Sequence, residues 1–381
     1  MGEGLQQYLI DLVSNPTPKK PAERMTLAGL TGLSWVYQSV ISLRDLAYRQ
    51  RWVTSTRLPC LVVSVGNITA GGTGKTPVVQ YLARFWHAMG YRICILTRGY
   101  QATEKLPEDG VIVSDYQSVR QEVAGAGDEA MLLAKSLPGV AVISGKKRAL
   151  TGAKAIDTLA PDIIILDDGF QHRQVERDVD IVVIDGTSPF GNGRVLPRGW
   201  LREPVSALSR ADSIIITRTD QIDQVQLRQL ESQLADLAPQ APIFASVHRP
   251  KALLKLAETG IDRGNPLPVD SLAGRSVVAA CGIGNPAAFA QTLNSVGAEV
   301  IRRLDFPDHH SYTRQDIAKM ADAAQSCQAA GVVVTEKDAV KFTPEIAAEI
   351  ARSGVDFWVL TIGLEPVDPG KFSRYLRGIA P

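Results

Sequence analysis

Cysteine is scarce in this chain of 381 residues: Cys60, Cys94, Cys281 and Cys327 stand far apart and form no CxxC pair. That excludes a disulfide framework and a cysteine-built zinc site, and leaves buried, reduced thiols in a cytosolic protein as the expectation. Charge of one sign is lacking too. The 41 basic and 40 acidic residues leave a net charge of +1, so no overall field draws the chain to nucleic acid. Met1-Gly2-Glu3-Gly4 carries an acid early and precedes no apolar core, so no secretory signal peptide is expected. Nor does Gly2 have Ser or Thr at the myristoylation spacing. No run is apolar enough to span a membrane. Met25 to Leu43 is uncharged and approaches the roughly 20 residues of a span, but Thr26, Gly29, Thr31, Gly32, Ser34, Gln38, Ser39 and Ser42 dilute it. With 45% hydrophobic and 21% charged residues, the chain reads as globular and not disordered.

As a helix, that uncharged segment gathers Leu27, Leu30, Leu33, Tyr37, Val40 and Ile41 on one broad face. Lys19, Lys20 and Arg24 precede it, and Arg44, Arg49 and Arg51 follow. A basic residue near an anionic membrane is worth about 1 kcal/mol, so a helix lying in the interface fits the pattern. An ordinary helix packed on its own domain fits it as well.

Elsewhere, short β-branched runs alternate with helix-like stretches. The runs are Leu61-Val65, Ile93-Thr97, Val140-Ser144, Ile163-Asp167, Ile181-Asp185, Ile214-Thr217, Ile243-Val247, Val277-Cys281, Val332-Thr335 and Phe357-Thr361. Strands apolar on both faces and separated by helices indicate parallel sheets covered on both sides. The expected fold is α/β: a P-loop NTPase-like parallel sheet with helices on both faces, and a second, smaller α/β domain. The expected division is 1–58 as an amphipathic helical segment, 59–225 as the nucleotide-binding domain, and 226–381 as the second domain facing it across a cleft. Gln101-Asp109 and Gly260-Pro268 read as weakly structured. No long heptad pattern supports a coiled coil, and a monomer is expected.

The strongest signal is Val65-Gly66-Asn67-Ile68-Thr69-Ala70-Gly71-Gly72-Thr73-Gly74-Lys75-Thr76-Pro77. It follows a strand and opens a helix, the context a phosphate loop requires. Glycines let backbone N–H groups approach phosphate oxygens, and the helix N-terminus favours anions. The nucleotide-binding candidates are Thr69, Ala70, Gly71, Gly72, Thr73, Gly74, Lys75 and Thr76, with Lys75 on the β- and γ-phosphates and the Thr76 hydroxyl on Mg²⁺. Thr69 stands where the standard pattern has glycine. The surviving core resembles the variant loop of the MinD group, whose signature lysine is replaced here by Ala70.

The strand Ile163-Asp167 ends in two carboxylates, Asp167 and Asp168. A parallel strand delivers its C-terminal end to the ligand crevice, so these two are the metal candidates, with a capping Asp as the structural alternative. Asp128, in Gly127-Asp128-Glu129, reads by itself as a helix start. His309 and His310 adjoin in Pro307-Asp308-His309-His310 without a third metal ligand nearby.

Together these motifs resemble the lipid A 4'-kinases, the tetraacyldisaccharide 4'-kinases. The loop is joined in order by Thr97-Arg98-Gly99-Tyr100, Gly127-Asp128-Glu129, Asp167-Asp168-Gly169-Phe170-Gln171-His172, Leu201-Arg202-Glu203-Pro204 and Phe306-Pro307-Asp308-His309. The resemblance implies transfer of the γ-phosphate of ATP, with Mg²⁺, to the 4'-hydroxyl of a tetraacyldisaccharide 1-phosphate, giving lipid IVA. It implies Asp128 as base or orienting group for the 4'-hydroxyl, His309 supporting it across the cleft (with His310 a competitor), and Lys75 in catalysis. It further implies Arg148, His172 and Arg202 as contacts to nucleotide or substrate phosphate. Finally, it implies peripheral attachment to the cytoplasmic face of the inner membrane, with an anionic surface and the acylated sugar as partners. A MinD-like switch ATPase is the main competing reading. The nearest approach to a guanine-reading motif, Thr335-Glu336-Lys337-Asp338, lacks its Asn. A cytosolic small-molecule kinase or ligase with no membrane role is the other.

Overall fold

The computed structural model describes residues 8, 11–13, 20–99, 102, 106–120, 126–258, 260–284, 286–307 and 310–381. Its strands, in chain order, are β1 (Leu61–Gly66), β2 (Ile93–Thr97), β3 (Val111–Ser114), β4 (Ala141–Ser144), β5 (Ile163–Asp167), β6 (Val179–Asp185), β7 (Ser213–Thr217), β8 (Ile243–Ala257), β9 (Gly260–Leu267), β10 (Ser276–Cys281), β11 (Glu299–Asp305), β12 (Val332–Thr335) and β13 (Phe357–Pro366). They hydrogen-bond in the order β11-β10-β12-β13-β8-β7-β6-β1-β5-β2-β4-β3, with β9 paired to β8. The β2, β4, β5, β6 and β7 runs are buried at every position, as strands sandwiched between helices must be.

The α/β class read from the sequence is the one observed. Strand β8 reaches well beyond the expected Ile243–Val247. Its start pairs parallel with β7, and its remainder pairs antiparallel with β13, so one strand runs from the first half of the sheet into the second. Gly260–Leu267, expected to be weakly structured, is instead β9, held against β8 by backbone pairing while its side chains stay mostly exposed. Of the other segment read as weak, Gln101-Asp109, residues 102 and 106–109 are described and form neither helix nor strand.

The N-terminal helix is Pro21–Arg49. Its buried residues are Leu27, Ser34 and Ile41. Ser34 Oγ donates to the Val195 carbonyl at 3.0 Å, and Tyr37 Oη donates to the Arg202 carbonyl at 2.9 Å. Arg44 reaches the fully buried Glu203 carboxylate at 2.9 Å, and Asp45 accepts from Arg173 at 2.9 Å. The apolar face expected from the sequence is therefore divided: Leu27 and Ile41 pack inward, whereas Leu33 and Val40 face out with Trp35, Val36 and Leu43. No helix among the described residues is long and apolar enough to cross a membrane.

Candidate active site

Two neighbouring parallel strands bring the phosphate loop and the acids to one edge of the sheet. The β1–β5 register pairs Val65 with Asp167, so both strands end together. Gly169 N donates to the Val65 carbonyl at 3.0 Å, and a Cβ on Gly66 would lie 2.5 Å from Phe170 Cβ. Only glycine permits that approach. Gly74 has φ +83° and a Cβ there would meet the His248 ring, so the residue before the helix Lys75–Ala88 is doubly restricted.

Thr69 needs no glycine. It bridges to Leu201, while Ala70 N donates to the Trp200 carbonyl at 2.6 Å and Arg202 N to the Ile68 carbonyl at 2.7 Å. That lacing replaces the glycine turn of the standard loop. On the far side, Thr217 Oγ1 donates to the Thr73 carbonyl at 2.9 Å and Arg218 Nη2 to the Gly72 carbonyl at 3.0 Å. Gly71 and Gly72 stay open, and Thr76 is half-buried on the first turn of the helix.

Lys75 Nζ lies 3.3 Å from Asp168 Oδ1 and 3.2 Å from Asn67 Oδ1. Arg202 Nη1 contacts both Asp168 oxygens, at 2.9 and 2.7 Å. Burial alone would push the Asp168 carboxyl up, but Lys75 and Arg202 outweigh it and hold the group at about 2. Asp167 is the opposite case: burial first, then Glu129 and Asp168, push its carboxyl up to about 7. Two further acids, Glu129 and Asp168, and two cations, Lys75 and Arg148, thus bear on Asp167. Among the described residues no three His, Cys, Asp or Glu side chains form a metal cluster. A hydroxyl with one or two carboxylates does fit magnesium, which keeps waters and substrate phosphates as its other ligands.

Arg148 is fully buried, and its guanidinium donates to the carbonyls of Thr97, Gly145 (2.6 Å) and Asp167 (3.1 Å). It braces the strand ends beneath the site. The His172 imidazole is pushed down to about 4, by burial first and then by Arg148 and Arg98, and is neutral at pH 7.

Asp128 opens the helix Asp128–Ser136, with Lys341 Nζ 3.9 Å from its Oδ2. Next to it, Glu129 contributes to the raised pKa of Asp167. His309 lies outside the described residues. His310 is committed elsewhere: its Nε2 is 3.1 Å from Asp316 Oδ2, and its ring stacks on Phe306 at 4.9 Å.

The structure therefore gathers Lys75, Asp167, Asp168, Arg202 and the glycine loop directly, and joins Asp128 to Lys341. Sequence reasoning passed over Asn67, Gln171 (whose Nε2 donates to the Asn67 carbonyl at 2.9 Å) and Lys341. Lys341 lies beyond the short helix that follows β12, too far from the strand end for the rule that selected Asp167 to reach it.

A sequence model of the tetraacyldisaccharide-1-P 4'-kinase (LpxK) family matches residues 26–380. The protein named tetraacyldisaccharide 4'-kinase from Halothermothrix orenii is 39% identical over 366 residues, covering 95% of this chain and 94% of that protein. The one so named from Syntrophus aciditrophicus is 43% identical over 340 residues, covering 87% and 88%. Among solved structures, LpxK from Aquifex aeolicus in complex with ATP superposes with a TM-score of 0.72 at 28% identity, covering 93% of this chain and 100% of that one. The chain belongs to the tetraacyldisaccharide-1-P 4'-kinase family.

Proposed function

We propose that this chain transfers the γ-phosphoryl group of ATP to the 4'-hydroxyl of a tetraacyldisaccharide 1-phosphate. The observation that carries the reading is the Gly71–Thr76 loop, with Lys75 held against Asp168 where β1 and β5 end, in a chain of this family. Residues 59–225 and 226–381 act as two domains facing the cleft. Lys75 and the open loop amides hold the β- and γ-phosphates, while Arg202 keeps Asp168 ionised beside them. Thr76 with Asp167 or Asp168 holds magnesium, which when bound neutralises charge on the phosphoryl oxygens. Asp128 takes the proton of the 4'-hydroxyl as the new O–P bond forms. The bond from the γ-phosphorus to its bridging oxygen breaks, and its electron pair leaves with ADP. His309 assists from the second domain. Arg148, whose Nη1 and Nη2 donate to carbonyls, serves by fixing the loop ends; His172 and Arg202 line the phosphate side.

The direct test follows radiolabel from γ-labelled ATP with tetraacyldisaccharide 1-phosphate in detergent micelles. Label in the lipid supports the kinase. Label released only as free phosphate returns the chain to the switch ATPases, a reading that family membership does not favour.

The chain acts as a peripheral protein on the cytoplasmic face of the inner membrane, as a monomer. The support is the outward stripe of the N-terminal helix, where Trp35 is 69% and Leu43 64% exposed, an apolar strip that water does not favour. Through Tyr37 the helix sits one hydrogen bond from Arg202, so an acylated substrate and the helix share one surface beside the site. Replacing both Val36 and Val40 by Glu should cut binding to anionic phospholipid vesicles about 10-fold or more. Folding stability should change by no more than about 0.5 kcal/mol per site, since both side chains are exposed. Vesicle co-sedimentation measures the first and thermal unfolding the second; unchanged sedimentation ends the interfacial reading.

A further inference from the structure

Lys341 lies just after the helix Glu336–Ala339, on the second half of the sheet, yet its ammonium group reaches the first. Its side chain is only 6% exposed. Nζ donates to the His310 carbonyl at 3.3 Å, stands 3.6 Å from Asp338 Oδ1 and 3.9 Å from Asp128 Oδ2, and lies 5.8 Å from the centre of the Tyr312 ring. Asp338 is fully buried and itself fixed, accepting from Thr335 Oγ1 at 2.6 Å and from Gly282 N at 3.2 Å. The lysine is thus pinned on its own side by a carboxylate and a carbonyl that cannot move freely. Its third partner is the residue assigned above as the base.

We propose that Lys341 is the positioning residue for Asp128, orienting its carboxylate across the cleft. The same ammonium group is held by the His310 carbonyl. The proposal rests on the reading of Asp128 as base. The titratable groups on its own helix are Glu129 and Lys135. Those on the two helices packed against it are Lys75, Tyr81, Arg84 and His87 on Lys75–Ala88, and Glu336, Lys337 and Asp338 on Glu336–Ala339. Strands β3 and β4, which also pack on the Asp128 helix, bear no ionisable side chain.

The test compares kcat and KM in the micelle assay for wild type, Lys341→Met, Lys341→Arg and Asp128→Asn, with melting temperatures beside them. Lys341→Met should lower kcat about 10-fold. KM for ATP should stay within about twofold, because the phosphate loop is untouched. Lys341→Arg should restore most of kcat. A kcat that does not fall, or a fall that tracks a lowered melting temperature, overturns the proposal and leaves Lys341 as a fold residue. If Asp128→Asn keeps the wild-type rate, the base assignment fails and takes the proposal with it. An inactive Asp128→Asn beside an unchanged Lys341→Met removes the positioning role alone.

Discussion

Lys75→Met should lower kcat/KM for the lipid by about 10³-fold or more, at least as much as Asp128→Asn, for which about 10²–10⁴-fold is expected. The ranking follows from the chemistry. Phosphoryl transfer leaves little covalent work for the protein, so most of the acceleration comes from positioning and neutralising charge. A base only eases departure of one hydroxyl proton. Lys75 also fixes the site without ligand, through Asn67 and Asp168. Methionine keeps the length of the stem, and Arg202 still holds Asp168, so the loop should stay in place. Initial rates at saturating ATP, on variants whose melting temperatures match wild type, decide the matter. A Lys75→Met enzyme keeping a tenth of the wild-type rate would contradict the assignment of the loop lysine.

Glu203→Ala should cost about 3–5 kcal/mol of stability, the usual result of breaking a buried ion pair from one side. The carboxylate is fully buried and accepts from Arg44 at 2.9 Å and Arg210 at 2.6 Å. Arg210 is nearly buried too, lies over the Phe170 ring at 4.5 Å, and would keep only Asp45, at 3.3 Å. Loss of Glu203 therefore leaves one guanidinium underpaired inside the protein and frees the other from the seat of the N-terminal helix. Denaturant unfolding measures the first effect, and protease cleavage within Pro21–Arg49 the second. A variant within about 1 kcal/mol of wild type would mean that the cluster relaxes around the gap.

How much was legible in the sequence depended on where the information sat. The inner strands declared themselves because burial on both faces demands uninterrupted apolar residues. Edge strands make no such demand. β11, Glu299–Asp305, is mostly exposed and reads as polar, and β9 is made by its partner's backbone. The helix Arg148–Leu159 was disguised by an arginine that it buries. The loop and the Asp167–Asp168 pair were readable since each is a local motif at the end of a strand. The meeting of Asp128 with Lys341 was not, because it depends on how β8 carries the chain from one half of the sheet to the other.

The run Trp200 to Glu203 binds everything around it. Trp200 and Leu201 hold the phosphate loop, the Arg202 side chain holds Asp168 and its carbonyl holds Tyr37, and Glu203 holds Arg44. Mutational scans here will therefore not sort cleanly into lipid defects and nucleotide defects. A change that loosens the helix should surface as a weaker Michaelis constant for ATP, and the reverse should hold as well. Apparent affinities for the two substrates measured across this run are coupled quantities, to be separated only by pairing each change with one in Tyr37 or Thr69.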